Sequence, residues 1–476
     1  MSSVTAPSPA VDPTGPMPSV PRGRRRTELL MLVFAFALIV FAMANVGFSL
    51  NGKLPAGVAE YLVAYMVIIG AAHLAMRKFA PWADPLLLPL ATLLNGLGIV
   101  MMYRLAAQVN PARGVPAISA SQAALQIAFS AIGIGGFIAV LALIREPRVL
   151  QRYTYTLGAV GIFLFALPAL LPASISEVNG AKIQIRFGSF TTIQPEEFAK
   201  LALAAAFAGY LVAKRDVLAL AGRRVLGLDL PRARDLGPIL LAWAASLLLL
   251  VFESDIGTSA VFMGLFVAML YIATSRTSWL LIGFLMFVVG AFAASELVGH
   301  VHERFDIWLH PFTAVNAQGN AYQLVQGLYG MASGGLLGKG LGGGQPYITP
   351  LVQSDLVFTA FGEEIGLAGV MAILLIYGLI VQRGLRTAMS VKDPFSKLLA
   401  GGLSFMLALQ VFVIVGGVTR LIPLTGITAP LLSQGGSSLV GTWLLIGLLA
   451  RISDAARRPP PRPIQDEGLT QVVTLK

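Results

Sequence analysis

The stretch IQPEEFAKLALAAAFAGYLVAKR, Ile193–Arg215, places two adjacent carboxylates and a lysine at the mouth of an otherwise apolar helix. Pro195 suits a first helical turn, where its missing N–H would have no partner anyway. Glu196 and Glu197 then face the positive end of the helix dipole. Lys200 follows Glu196 by four residues and Glu197 by three, so it can pair with either. One reading is a cap with a self-neutralising pair. The other is a functional cluster, since a cap needs no lysine a turn deep and ionisable groups in a membrane helix are costly enough to mark function.

The apolar run of this helix recurs along the chain, and that recurrence decides the fold. The 476 residues are 56% hydrophobic and 12% charged, with a mean hydropathy of +0.77. Runs of about 18–22 apolar residues are membrane spans. Backbone in lipid must satisfy its own hydrogen bonds, which leaves a helical bundle, and the short alternating segments of a barrel are missing. The expectation is an all-α polytopic bundle of about twelve transmembrane helices. Among them are spans near 28–49, 58–77, 197–213, 236–252, 357–381 and 429–450, with a large extracellular loop between helices 9 and 10. The net charge of +11 sits in short loops between spans. That is the positive-inside pattern and argues against nucleic acid as a partner. With no cysteine, disulfides, thiol chemistry and cysteine metal sites are excluded.

The organisation follows. Residues 1–27 form a Pro/Ser/Thr-rich cytoplasmic tail, disordered by composition. Ala42–Ala44 resembles a signal-cleavage site, but the long run around it favours a retained helix. Residues 28–172 hold the N-terminal spans, 173–451 a core with the loop 299–356, and 452–476 a second cytoplasmic tail. Both termini lie inside the cell, in a multi-pass plasma-membrane protein. A connection of nearly 60 residues is long enough to suggest function.

Other stretches carry candidate chemistry. FESDIGTSA puts Glu253 and Asp255 at an outer turn, where Asp255 either caps the next helix or acts chemically. In SDLVFTAFGEEIGL, Ser354 or Asp355 caps a span whose Glu363 and Glu364 lie two turns deeper. Buried carboxylates need partners, and Lys200, Arg420 and Arg186 are the candidates. GGLLGKGLGGG, Gly334–Gly344, contains G-x-G-x-x-G, but no strand precedes it, so dinucleotide binding fails. A flexible loop whose amides approach phosphate is the modest reading. PLTGITAPLLSQGGSSLVG, with Ser433 and Ser437, is a broken helix start or a polar wall to an outward cavity. His300 and His302 make no zinc pattern.

Five stretches together resemble the SEDS family (shape, elongation, division and sporulation) of integral-membrane peptidoglycan polymerases. They are NGAKIQIRFGSFTTIQPEEFAKLAL, ESDIGTSAV, GNAYQLVQGLYGMASGGLLGKGLG, SDLVFTAFGEEIGLAG and GGVTRLIPLTGITAPLLSQGGSSL, in the family's order between Asn179 and Arg451. The preceding spans resemble the longer actinobacterial form, with two beyond the usual ten, and look closer to the RodA branch, of cell elongation and cell shape, than to the FtsW branch, of cell division.

The resemblance implies a glycosyltransferase that polymerises lipid II, a disaccharide-pentapeptide on undecaprenyl diphosphate. The acceptor 4-hydroxyl attacks the donor's anomeric carbon. Such a site needs a base, positive charge or a divalent cation (magnesium or manganese) for the diphosphate, and an apolar groove. Lys200, Arg186 and Arg420 would supply charge, with Glu197 orienting Lys200. Gln194, Tyr322, Gln323, Asp355, Glu363, Glu364, Ser433 and Ser437 would complete the substrate site. The implied partners are a class B penicillin-binding protein carrying the transpeptidase, other membrane proteins of the elongation complex, and membrane lipid. The family's loop pattern, D-P-x-x-D-P-x-G-x-G-Y-Q, presumes its second Asp as base. Here LHPFTAVNAQGNAYQ puts Ala314 there counting from Pro311, or Asn316 counting back from Gly319, Tyr322 and Gln323. Glu303, Asp306 or Asp255 would have to serve, or the chain is an inactive scaffold or division homologue. A lipid II flippase is the rival activity.

Overall fold

A computed structural model describes residues 22–53, 57–109, 116–178, 181–182, 184–187, 191–218, 221–225, 228–231, 244, 256–297 and 299–459. Its helices are α1 (Arg22–Asn51), α2 (Val58–Phe79), α3 (Leu87–Ala107), α4 (Ala120–Leu143), α5 (Thr154–Leu170), the single turn α6 (Ala173–Ser176) and α7 (Glu196–Leu218). They continue with α8 (Ile256–Thr274), α9 (Thr277–Leu297), α10 (Gly299–Leu309), α11 (Ala314–Gln318), α12 (Tyr322–Gly334), α13 (Val357–Ser390), α14 (Pro394–Val418) and α15 (Gly436–Arg457).

Among the described residues, 10 helices are long and apolar enough to cross a membrane. The fold is therefore a polytopic helical membrane bundle. α7 is a further helix of 23 residues whose charged first turn sets it apart from these. The expected span 236–252 lies outside the described residues, apart from position 244. α1 begins at Arg22 and α15 continues to Arg457, so both helices extend into segments read as tails.

Three antiparallel hairpins were not foreseen: β1–β2 (Glu177–Val178 with Ala181–Lys182), β3–β4 (Ile185–Phe187 with Thr191–Ile193) and β5–β6 (Ala221–Val225 with Leu228–Pro231). They decorate the connections on either side of α7. In the loop 299–356, α10, α11 and α12 replace the expected irregular chain.

Lipid supplies no hydrophobic drive between helices, so close packing needs small residues at the contacts. Gly133 of α4 lies under Trp443 of α15, Gly161 of α5 meets Leu203 of α7, and Gly402 of α14 meets Met269 of α8. Charge closes one end of the bundle, the basic end. Arg25 pairs with Glu28, which also faces His73 Nδ1 at 2.7 Å, and Arg25 donates to the carbonyl of Ala80 at 2.9 Å. Arg451 donates to the carbonyl of Phe79 at 2.6 Å, and Arg457 to Asp84 at 2.5 Å. These bonds gather the start of α1, the end of α2, the approach to α3 and the end of α15.

The opposite, loop end contains the feature that positions the site. α13 is broken at Gly366, with φ 68° and ψ −174°. That break frees carbonyls before it and amides after it, which would be orphans in an apolar bundle. The glycine loop fills them. Lys339 and Gly340 donate to the carbonyls of Glu363 and Glu364 at 3.0 and 2.9 Å, and Leu367 and Ala368 donate to those of Gly335 and Leu336, both at 3.0 Å. The loop is thus a backbone clamp, which corrects the reading of it as a flexible loop with free amides. Only glycine takes the Gly366 geometry without strain, and a Cβ there would also strike the Leu336 carbonyl at 2.5 Å. Gly366→Ala is expected to lower stability by about 1–3 kcal/mol, seen as a lower thermal midpoint of the detergent-solubilised chain. An unchanged midpoint would mean that the clamp yields freely.

Candidate functional site

The loop end carries three linked clusters. The first is the start of α7. Glu197 and Lys200 are buried, 5% and 2% exposed, and Lys200 Nζ donates to Glu197 Oε1 at 3.0 Å. The pair sits against α15, where a Cβ on Gly441 would come 3.4 Å from Glu197 Cβ. The backbone N–H of Gln194 donates to Ser437 Oγ at 2.9 Å, pinning the entry of α7 to the start of α15. The sequence pairing of Glu197 with Lys200 is realised, and Glu196 is buried beside it.

The second cluster surrounds Glu363 and Glu364, and here the expected partners are wrong. Lys339 Nζ donates to Glu363 Oε1 at 2.9 Å, and the Gln345 amide donates to the same oxygen at 2.9 Å. Arg104 Nε donates to Glu364 Oε1 at 2.6 Å, both side chains being sealed from solvent, and the Gly342 amide adds a bond to Oε2 at 3.1 Å. Arg104 Nη2 donates to the Gly344 carbonyl at 2.8 Å. Their partners are thus the glycine loop and α3, not Lys200, Arg420 or Arg186. Both glutamates hold the loop against the break in α13.

The third cluster joins the loop to the approach of α15. Asp355 is 7% exposed and accepts from Gln323 Nε2 at 3.1 Å and Ser354 Oγ at 2.7 Å. Ser433 Oγ donates to the Ser354 carbonyl and accepts from the Ala429 amide at 2.9 Å. The Gln434 amide donates to the Gln353 carbonyl at 2.7 Å, and Gln126 Nε2 of α4 to the Ser433 carbonyl at 3.1 Å. Burial raises the Asp355 carboxyl above its ordinary value, while the hydrogen bonds and the nearby Arg304 charge pull it down. Arg304 of α10 donates to the Thr425 carbonyl at 3.1 Å, which ties the loop helices to this cluster. The polar-wall reading of Ser433 and Ser437 therefore has a concrete form: each stitches a different segment to the head of α15.

The candidate bases sit on exposed faces of the loop. Glu303 accepts from Asn320 Nδ2. Asp306 Oδ2 accepts from Asn316 Nδ2 at 2.9 Å, and its Oδ1 lies 3.3 Å from His310 Nδ1. The Asn316 bond, followed by the His310 contact, holds the Asp306 carboxyl below its ordinary value. Asp255 lies outside the described residues. Arg420, with φ 61°, is turned into the same loop: Nε and Nη2 donate to the carbonyls of Trp308 and Leu309 at 2.9 and 3.1 Å, and its guanidinium lies over the Phe312 ring. It caps the end of α10. Arg186 is exposed on the β3–β4 hairpin, and Tyr322, also exposed, opens α12. An apolar groove of about 430 Å³ between α13 and α14, lined by Leu374, Tyr377, Val411, Phe412 and Val415, reaches Leu421, beside Arg420.

Sequence reasoning missed Arg104, Lys339, Arg304, Gln126 and His310. Arg104 carried one usable signal, an arginine inside an apolar run, which must find a counter-charge. No three His, Asp or Glu side chains converge as a cation site among the described residues.

The family FTSW_RODA_SPOVE, described as cell cycle proteins, matches residues 84–458. The peptidoglycan glycosyltransferase RodA of Mycobacterium tuberculosis (strain ATCC 25618 / H37Rv) is 46% identical over 446 residues, covering 94% of this chain and 93% of that protein. Two solved structures share the fold. One, from a peptidoglycan synthase complex that coordinates polymerization and crosslinking, has a TM-score of 0.52 at 24% identity and covers 83% of this chain and 96% of its own. The other, a mutant of the rod shape determining protein RodA of Thermus thermophilus, has a TM-score of 0.52 at 23% identity and covers 79% and 99%.

Proposed function

The chain belongs to the FtsW, RodA and SpoVE family, and from that membership we propose that it is a peptidoglycan glycosyltransferase of the RodA type that polymerises lipid II. One observation carries the reading: 46% identity to a peptidoglycan glycosyltransferase over nearly the whole of both chains. The enzyme spans the plasma membrane many times, with the basic end inside the cell, both termini there, and the loop end outside. The family match begins at Asp84, after α2, which supports α1 and α2 as an addition to the core.

Lys200, oriented by Glu197, is the ammonium at the head of α7 that meets the diphosphate, and Arg186 reaches it from the hairpin. Asp355, Gln323, Ser433 and Ser437 position the sugars. The groove between α13 and α14 suits an isoprenoid chain. The acceptor hydroxyl oxygen bonds to the anomeric carbon of the donor as the bond to diphosphate breaks. Its proton leaves along the exposed face of α10, where Asp306 is held by Asn316, which stands at one of the two expected base positions. Among the described residues no three His, Asp or Glu side chains assemble a cation site. The fold shared with a polymerization and crosslinking complex supports a class B penicillin-binding protein as partner.

Purified chain, alone and with that partner, should convert labelled lipid II into glycan strands. Lipid scrambling without polymer would make it a flippase. Polymer appearing only after Ala314→Asp would make the natural chain a scaffold. Glu303→Gln with Asp306→Asn is expected to cut polymerisation by roughly 10²–10⁴-fold. Unchanged strand synthesis by that double variant would remove both acids from the proton's path.

A further inference from the structure

We propose that the group that takes the acceptor's proton is the imidazole of His310, with Asp306 as the positioning residue behind it. This rests on the polymerase reading and deepens it. The site is built around His310. Its amide donates to the Asp306 carbonyl at 2.8 Å, and its own carbonyl accepts from Asn316 Nδ2 at 3.0 Å and Thr313 Oγ1 at 3.3 Å. The backbone of this residue is therefore fixed at the end of α10, while the ring stands exposed to an incoming substrate.

The carboxylate supplies direction. Asp306 Oδ1 lies 3.3 Å from His310 Nδ1, and Asn316 Nδ2 holds the other oxygen at 2.9 Å. An ionised carboxylate only accepts. It therefore stabilises the tautomer with the proton on Nδ1 and leaves the Nε2 lone pair outward, the arrangement by which an aspartate prepares a histidine as a base. Asp306 alone is a poor base, because its two neighbours hold its carboxyl below the ordinary range. A base is most effective with a pKa near the working pH, and a carboxylate held below its ordinary range falls short of that. α10 also carries His300, His302, Glu303 and Arg304, of which His302 acts on Asp306, and Arg420 caps α10 through the carbonyls of Trp308 and Leu309. α11, which supplies Asn316, holds no titratable side chain.

The step balances. As the acceptor oxygen bonds to the anomeric carbon, its proton passes to Nε2. The bond from the anomeric carbon to the phosphate oxygen breaks, and both electrons leave with undecaprenyl diphosphate. The imidazolium, steadied by Asp306, then releases the proton to water.

The test is the pH dependence of kcat/KM for lipid II polymerisation by the full chain with its partner, between pH 5 and 8. The natural chain should lose activity as the pH falls through this range, because a protonated imidazole has no lone pair to take the acceptor's proton. His310→Gln should cost roughly 10²–10⁴-fold and abolish that acid limb. His310→Asp should restore part of the rate with no acid limb in this range, because a carboxylate stays ionised across it. Asp306→Asn should shift the limb downward, which a merely structural residue would not do. Thermal midpoints and co-purification with the partner establish that each variant is folded. A natural chain that polymerises at a flat rate across this range, or a folded His310→Gln variant with full activity, would overturn the proposal and leave the polymerase reading standing. A natural chain that makes no polymer at any pH would overturn both.

Discussion

Arg104→Met is expected to remove most of the folded protein from detergent extracts, and Arg104→Met with Glu364→Leu to bring much of it back. Arg104 and Glu364 are sealed together, with Nε to Oε1 at 2.6 Å and neither side chain exposed by more than 1%. Taking away the guanidinium leaves a carboxylate with one amide donor, Gly342, in a place closed to solvent. Breaking such a pair from one side costs about 3–5 kcal/mol, whereas replacing both partners with apolar groups of similar size is often neutral. Total stability is commonly about 5–15 kcal/mol, so the single loss is a large share of it. Recovery should be incomplete, because the Gly344 carbonyl and the Gly342 amide lose their side-chain partners in the double variant. Thermal unfolding of solubilised protein reads the difference. A single variant as stable as the natural chain, or a double variant worse than either single, would mean that the pair does not hold the loop to α13.

The same pair shows what the sequence could and could not disclose. Span after span was legible from apolar run length, because lipid imposes that length on every helix crossing it. The Glu197–Lys200 pair was legible because helix geometry alone brings those positions together. Glu363 and Glu364 were legible only as a demand for counter-charge. The choice of Arg104, 260 positions away, depends on which helix packs beside the glycine loop, and run lengths are silent on helix order. The break at Gly366 was equally hidden: ILE-GLY-LEU at 365–367 holds no proline, and the cause of the break lies in the loop amides that satisfy it. Arg420 was misread for a related reason. An arginine at an outer turn looks available for phosphate, yet the carbonyls of Trp308 and Leu309 that occupy it belong to a short helix in a segment read as loop. His310 went unnoticed because its meaning comes from Asp306 one turn earlier and Asn316 on a separate helix.

Lys200→Ala is expected to abolish lipid II polymerisation, and the second substitution decides why. The lysine is 2% exposed and its ammonium meets Glu197 at 3.0 Å, so its loss strips a buried carboxylate of its counter-charge and lowers abundance as well as activity. Lys200→Met with Glu197→Gln removes both charges while keeping the length of each side chain. If the Lys200 ammonium serves the diphosphate, the double variant should reach normal membrane levels and retain the bond between the Gln194 amide and Ser437. It should nevertheless polymerise roughly 10²–10³-fold more slowly, the cost of losing one preorganised charge-stabilising group. If the pair only closes the head of α7 against Gly441 of α15, the double variant should recover levels and rate together. Polymerisation per molecule of membrane protein, compared between the single and double variants, separates the two. Normal turnover in the double variant would remove Lys200 and Glu197 from the chemistry and leave the diphosphate to Arg186 on the hairpin.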